Sequence, residues 1–348
     1  MTAVLRISWA HPQFGQVIAS CSLDNTLMVW EERESVDDRT GSVGSDWINK
    51  ARLSDSRAAV NDVAFAPRHN GLMLAAASAD GLLRLYTAND QQELAVWDRW
   101  DEFAALDGGA PLTCLAWNPG RFDAPTLVVG GEAPHLAVWA YSASFRKWTR
   151  LCILPTGGLV TNDVAWAPNA GRSYHLIAAA CRDAAAPGRG AATLTDSGLA
   201  SGTVSLWRLT MDADDEDDFD EDEDGAGEAA GGAGASSSSS ATTEAVDRAA
   251  GPGAAEADGE FRAVDGVRAA QECIICSSAA GDCPEVWRLR WGVVGSLLAT
   301  TGDDGIVRLW RRRLTGKWSC AQEFSVSGEA ADGFEGHGAA AAALGATA

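Results

Sequence analysis

Long apolar runs are missing from this sequence. None could span a bilayer, and no charged-then-apolar leader follows Met1, so a cytosolic or nuclear chain without membrane insertion is expected. Histidine is scarce. The five present (His11, His69, His135, His175 and His337) form no i,i+4 pair and no HExxH, which leaves a helix-borne zinc site without ligands. GxxxxGK[ST], GxGxxG after a strand and GxSxG are absent, so neither a phosphate-cradling loop nor a nucleophile elbow is indicated. No enzyme activity, cofactor or metal is expected. Basic residues are outnumbered, 27 Lys and Arg against 48 Asp and Glu, for a net charge of −21. No basic stripe points to direct contact with nucleic acid. The acidity is local: residues 211–260 hold 17 acids against one Arg, so −16 lies there and −5 elsewhere.

What the chain has in quantity is tryptophan, 14 residues, placed in repeated text. Val286 to Trp310 reads as three strands. Trp287, Leu289 and Trp291 alternate with Arg288 and Arg290, the period of two that a strand imposes. Leu297 to Thr301 follows. Gly302-Asp303-Asp304-Gly305 then supplies a tight turn, because Gly and Asp tolerate backbone angles that branched residues do not. Ile306 to Trp310 closes the unit.

The opening phrase recurs as Val4–Trp9, Val60–Phe65, Leu112–Trp117 and Thr161–Trp166, and the closing one at Trp30, Tyr86, Trp139 and Trp207. Opening and closing aromatics lie 21, 21, 22, 41 and 19 positions apart. The 41 contains a Gly/Ala-rich insert, at about 184–200. Self-similarity of this kind is the mark of WD40 repeats, each one blade of a β-propeller. The expected fold is all-β, an open WD40 propeller with five visible four-stranded blades and a disordered acidic insertion. The aromatics Trp9, Trp30, Phe65, Tyr86, Trp117, Trp139, Trp166, Trp207, Trp291 and Trp310 are assigned to packing between blades. Asp24, Asp80 and Asp304 sit in hairpin turns, where a carboxylate accepts backbone N–H groups; a structural role is assigned to them.

Blades are expected at 4–53, 60–106, 111–154, 160–209 with 267–277, and 286–326. In the first, Leu27–Trp30 is the third strand, 31–46 a surface loop and Trp47–Leu53 the outer strand. By domain, residues 1–210 carry the first part of the propeller, 211–262 a disordered insertion, 263–326 the rest and 327–348 a disordered tail. Low hydrophobicity and one-sided charge cannot offset the entropy of ordering 211–262. Cys21, Cys114, Cys152 and Cys181 fall in or beside apolar strand text, as reduced thiols acting as small hydrophobes. Cys273-Ile-Ile-Cys276 with Cys283 approaches a metal spacing but lacks a second CxxC, and it occupies an outer strand's place.

Trp9-Ala-His-Pro-Gln-Phe-Gly-Gln-Val-Ile-Ala-Ser-Cys-Ser22 resembles a phrase shared by two related WD40 scaffolds, the Sec-thirteen vesicle-coat subunit and its SEH-type nucleoporin homologue. Asp55-Ser-Arg57, Phe65–His69, Gly71–Leu74, Ser78–Gly81, Pro168–His175 and Ser296–Trp310 place it nearer the SEH-type family. That resemblance implies an open six-bladed propeller completed by a blade from an α-solenoid nucleoporin, through strand addition at an unpaired edge. It also implies other outer-ring nucleoporins as partners, in the Y-shaped complex of the nuclear pore, and membership of a TOR-regulating complex at the vacuolar or lysosomal surface. One departure is visible: the family carries a further repeat before the Trp9 phrase, so the gap expected here is wider, the first exon of the gene model is read as lost, and the free chain is expected to aggregate. A vesicle-coat subunit and a WD40 substrate receptor or peptide reader are the alternatives. Trp30-Glu-Glu-Arg33 and Trp97-Asp-Arg-Trp100 only approximate the receptor box.

Overall fold

A computed structural model describes residues 3–36, 43–88, 90, 94–121, 123–182, 202–211, 260–262, 267–275 and 284–325. The strands form five antiparallel sheets, one per repeat. Blade 1 comprises β1 (Val4–Trp9), β2 (Val17–Ser22), β3 (Leu27–Val36) and β4 (Val43–Leu53). Blade 2 comprises β5 (Val60–Phe65), β6 (Met73–Ser78), β7 (Leu82–Ala88) and β8 (Trp97–Ala104). Blade 3 has β9 (Leu112–Trp117), β10 (Thr126–Gly131), β11 (His135–Ser142) and β12 (Lys147–Pro155). Blade 4 has β13 (Val160–Trp166), β14 (His175–Arg182), β15 (Thr203–Met211), β16 (Glu260–Arg262) and β17 (Val267–Ile275). Blade 5 has β18 (Val286–Trp291), β19 (Leu297–Gly302), β20 (Ile306–Arg312) and β21 (Trp318–Ser325).

Two details differ from the sequence reading. Residues 31–46 are not simply a loop. Glu31–Val36 pairs residue for residue with Val43–Ile48, because the ladder's backbone bonds hold strands together whatever the polarity of exposed side chains. In blade 4 the order is β13-β14-β15-β17-β16, so the short β16 pairs outside β17 within a span expected to be unstructured. The acidic run 212–259, the insert 184–200 and the tail 327–348 lie outside the described residues, as do Cys276 and Cys283.

Among the described residues the core is four separate apolar layers, each between consecutive blades. Val17, Ala19 and Val29 meet Val63, Leu74 and Tyr86 between blades 1 and 2. Leu83 and Leu85 meet Leu115 and Leu127 between blades 2 and 3. Val128 and Leu154 meet Ile177 and Trp207 between 3 and 4, and Val204 and Leu206 meet Leu289 and Leu298 between 4 and 5. Fully burying one such side chain contributes roughly 1.5–3 kcal/mol. Among the described residues no fifth layer joins blade 5 to blade 1, and β18 makes no packing on β1 of the extent seen for β1 on β5, β5 on β9, β9 on β13 and β13 on β18. The propeller is open. Cys21, Cys114, Cys152 and Cys181 are buried within these layers, and burial pushes the thiols of Cys21, Cys152 and Cys181 up to about 12.

Candidate functional site

The inner strands β1, β5, β9, β13 and β18 share a six-residue phrase, so their positions can be compared. In every blade the ladder to the second strand slips at position two: Leu5, Asn61, Thr113, Asn162 and Trp287. A bulge re-aims its side chain. In blades 2, 3 and 4 it aims a polar group at the first carbonyl of the next inner strand. Asn61 Nδ2 donates to the Leu112 carbonyl at 2.7 Å, Thr113 Oγ1 to that of Thr161 at 2.5 Å and Asn162 Nδ2 to that of Val286 at 3.0 Å.

Position three holds Arg6, Asp62, Cys114, Asp163 and Arg288. Asp62 Oδ2 accepts the Leu115 N–H of blade 3 at 2.9 Å. Asp163 Oδ2 accepts the Leu289 N–H of blade 5 at 2.8 Å. Position six repeats the pairing: Trp117 Nε1 donates to the Ala64 carbonyl at 3.1 Å and Trp291 Nε1 to the Ala165 carbonyl at 3.0 Å. Blade 2 therefore grips blade 3, and blade 4 grips blade 5, with the same three bonds.

Arg6 bridges these two pairs. Its Nη2 donates to Asp163 Oδ1 at 2.7 Å, and its Nε lies 3.4 Å from Asp62 Oδ1. Both carboxylates are buried, and buried charges survive only when paired. Arg6 sits nearer Asp163, so burial prevails at Asp62 and raises its carboxyl to about 6 although Arg6 opposes this. A cavity of about 520 Å³ lies at the far ends of the inner strands, lined by Trp9, Trp117, Trp166, Trp291, Arg6 and Arg290.

The open side has two faces. On blade 1, Ile7 (60% exposed), Trp9 (58%) and Trp47 (39%) stand out of the sheet, with Trp9 and Trp47 edge to face at 5.6 Å. The register Trp9↔Ile18↔Trp30 shows them to be one apolar face. On blade 5, Leu297 and Phe324 are exposed and share a face with Arg288, which is cross-strand from Thr301, Val307 and Phe324. Burial and the Arg6 charge lower the Arg288 guanidinium. Contiguous exposed apolar surface marks an interaction site more often than a free surface.

Most of the aromatics assigned to the core lie there: Trp117, Trp166, Trp207, Trp310 and Tyr86 are buried, and Trp30, Phe65, Trp139 and Trp291 are partly buried. Trp9 differs. It occupies the position of Trp117 and Trp291, yet among the described residues no sheet packs on its face and its Nε1 has no acceptor. Asp24 Oδ1 accepts the Thr26 N–H at 3.1 Å, Asp80 Oδ1 that of Leu82 at 3.0 Å and Asp304 Oδ1 that of Ile306 at 3.1 Å. Asp80 and Asp304 also hold Arg84 and Arg308, which reach Glu102 and Glu323. The phrase alignment could have exposed the position-three carboxylates, since Asp62 and Asp163 recur at one place in the repeated phrase.

Among the described residues no cluster of His, Cys, Asp and Glu could hold a metal ion, and no helix is long and apolar enough to cross a membrane. A family model for the WD domain, G-beta repeat, matches residues 3–31, 49–87 and 273–311. The second match begins in the outer strand of blade 1 and runs through three strands of blade 2, so a sequence repeat straddles two blades. The chain is 31% identical to Nucleoporin SEH1 of Homo sapiens over 99% of its own length and 79% of the relative's. Identity to Nucleoporin SEH1 of Danio rerio is 31%, over 99% and 78%. Nucleoporin SEH1-B of Xenopus laevis is 30% identical, over 91% and 71%.

Proposed function

Because the chain belongs to the Nucleoporin SEH1 family of WD-repeat proteins, we propose that it is a scaffold subunit of the nuclear pore outer ring, the Y-shaped complex, located at the nuclear envelope. It binds an α-solenoid nucleoporin by accepting strands into the open side of the propeller, and through that assembly supports transport of mRNA and protein. The supporting observation is the pair of uncovered faces on blades 1 and 5. A blade face with exposed Ile7, Trp9, Trp47 and Phe324 is what the packing of a donated blade covers, burial of apolar side chains giving the affinity. No catalytic step is proposed. Membership of a TOR-regulating complex at the vacuolar or lysosomal surface rests on the family resemblance alone.

The test is affinity purification of the tagged full chain with mass spectrometry, together with localisation. A punctate nuclear rim and recovery of outer-ring nucleoporins is the expected result; TOR-pathway subunits in the same purification would extend it. Recovery of vesicle-coat rods without nucleoporins, or absence from the nuclear envelope, would overturn it.

A further inference from the structure

Between blades 4 and 5, on the side where the β13–β14, β15–β17 and β20–β21 connections leave, three arginines converge on Tyr174. The Arg208 guanidinium lies over its ring at 4.0 Å and that of Arg172 at 5.9 Å. Arg312 Nη1 donates to its hydroxyl at 2.8 Å. A fourth, Arg268, pairs across from Thr210. Alternate residues of a strand share a face, so Arg268 stands on the same face as Arg208. At the opposite ends of the third strands arginine is matched by carboxylates: Arg84 meets Asp80 and Glu102, and Arg308 meets Asp304 and Glu323. Here, among the described residues, the four guanidinium groups share one carboxylate, Glu272, 3.1 Å from Arg312. Arg172 spends its Nη atoms on the Gly295 and Pro168 carbonyls, at 2.8 and 2.7 Å, which orients it without neutralising it. No carboxylate among the described residues pairs with Arg208 or Arg268.

We propose that Arg172, Arg208, Arg268 and Arg312 form a binding site for a run of peptide carboxylates. Like charges held together repel, and an anion bound among them removes that cost. Arg208, Arg268 and Arg312 are exposed and Tyr174 is half-buried, so a ligand can reach them. A planar guanidinium takes a carboxylate through two parallel N–H groups, and stacking on Tyr174 holds Arg208 in place for it. Charge spread over four groups suits several carboxylates in succession better than one. The sequence points to the same ligand. Residues 212–224 follow directly on Met211, the end of β15, and hold eleven acids. A run tethered this close to a site meets it at high effective concentration. A separate acidic protein carries the same chemistry, and the experiment distinguishes the two sources.

The test follows a fluorescein-labelled peptide with the sequence of residues 212–224 by fluorescence anisotropy, at low salt, where exposed charges are least screened. It is titrated with the full chain and with a full-length form in which those eleven acids are Asn or Gln. The neutralised form is expected to bind the peptide, and to bind it at least tenfold more weakly once Arg208→Ala and Arg268→Ala are added, with Tm unchanged. Arg146→Ala with Lys147→Ala on blade 3, an equal loss of charge, is expected to change binding less than twofold. Tighter binding by the neutralised form than by the parent supports the site with the chain's own run as its ligand. Equal binding by the two supports it with a separate acidic chain as its ligand. No binding by the neutralised form, or an equal loss from both double variants, overturns the site. Oligothymidine of equal length binding more tightly than the peptide, through the same arginines, overturns the carboxylate run as the ligand in favour of nucleic acid.

Discussion

Arg6 of blade 1 reaches Asp163 of blade 4 at 2.7 Å, across the axis and past the opening between blades 5 and 1. Among the described residues no packing closes the ring there, so this ion pair, with Asp62 at 3.4 Å, ties blade 1 to the middle of the propeller. Replacing Arg6 with Met strands two buried carboxylates. Breaking one side of a buried pair costs about 3–5 kcal/mol. Urea unfolding should show a loss of that order for Arg6→Met. Adding Asp163→Asn, which keeps an acceptor for the Leu289 N–H, should recover part of it. Equal stability of Arg6→Met and the parent would remove the axial tie from the account.

Two aspartates give stability opposite dependences on pH. Asp62 has a folded value near 6 against about 3.9 in the unfolded chain. The native state then binds more protons between those values, so the contribution is whole below pH about 4 and lost as pH rises through 6, at most about 3 kcal/mol. Asp80 is the reverse. Burial raises it, but Arg84 and the N–H groups of Arg57 and Leu82 outweigh that and hold it at about 2. Its contribution is present above pH about 4 and lost as pH falls through 2. Unfolding free energies from pH 2 to 7 should show the parent losing ground to Asp62→Asn as pH rises from 4 to 6, and losing ground to Asp80→Asn as pH falls below 4. A pH-independent difference for either pair removes that carboxylate's role.

The blades were legible because an aromatic recurs in each inner and third strand and the turns at Asp24, Asp80 and Asp304 carry Gly or Asp, Glu132-Ala-Pro134 in blade 3 being the departure. Two hidden things follow from backbone geometry. The extension of β3 and β4 rests on ladder bonds that charged side chains do not advertise. The bonds of Asn61 and Asn162 depend on a bulge, and nothing in Val60-Asn-Asp-Val-Ala-Phe65 signals one until the strand is paired with Met73–Ser78. Trp9 shows the other limit: its text matches Trp117 and Trp291, but burial depends on a neighbour that a repeat alone does not supply.

Gly130 is fixed by what surrounds it. A Cβ there would lie 2.8 Å from Leu136 Cδ2, 2.9 Å from Cys114 Sγ and 3.0 Å from Thr161 Cβ, in the layer between blades 3 and 4. Overpacking a filled layer costs roughly 1–3 kcal/mol. Gly130→Val should lower the midpoint of urea unfolding accordingly, and Gly130→Ala by less. By contrast Gly158, which has open space around its Cβ position but φ +89°, should respond to Ala only through backbone strain. A neutral Gly130→Val would mean the layer between these blades has room to shift.

The uncovered face of blade 1 should govern how the free chain behaves in solution. Ile7 and Trp47 are 60% and 39% exposed and contribute nothing to the four apolar layers, so charging them removes attraction between molecules at little cost to the fold. Ile7→Glu with Trp47→Glu should raise the monomer fraction in light scattering coupled to size-exclusion chromatography, at matched concentration. Tm should stay within the shift that about 0.5 kcal/mol produces, the usual range for surface changes. Charging two residues away from the open side, Phe145→Glu in the β11–β12 turn with Lys147→Glu at the start of β12, should leave the association unchanged. If both double variants behave alike, self-association runs through some surface other than the open side, and the apolar face of blade 1 is not what drives it.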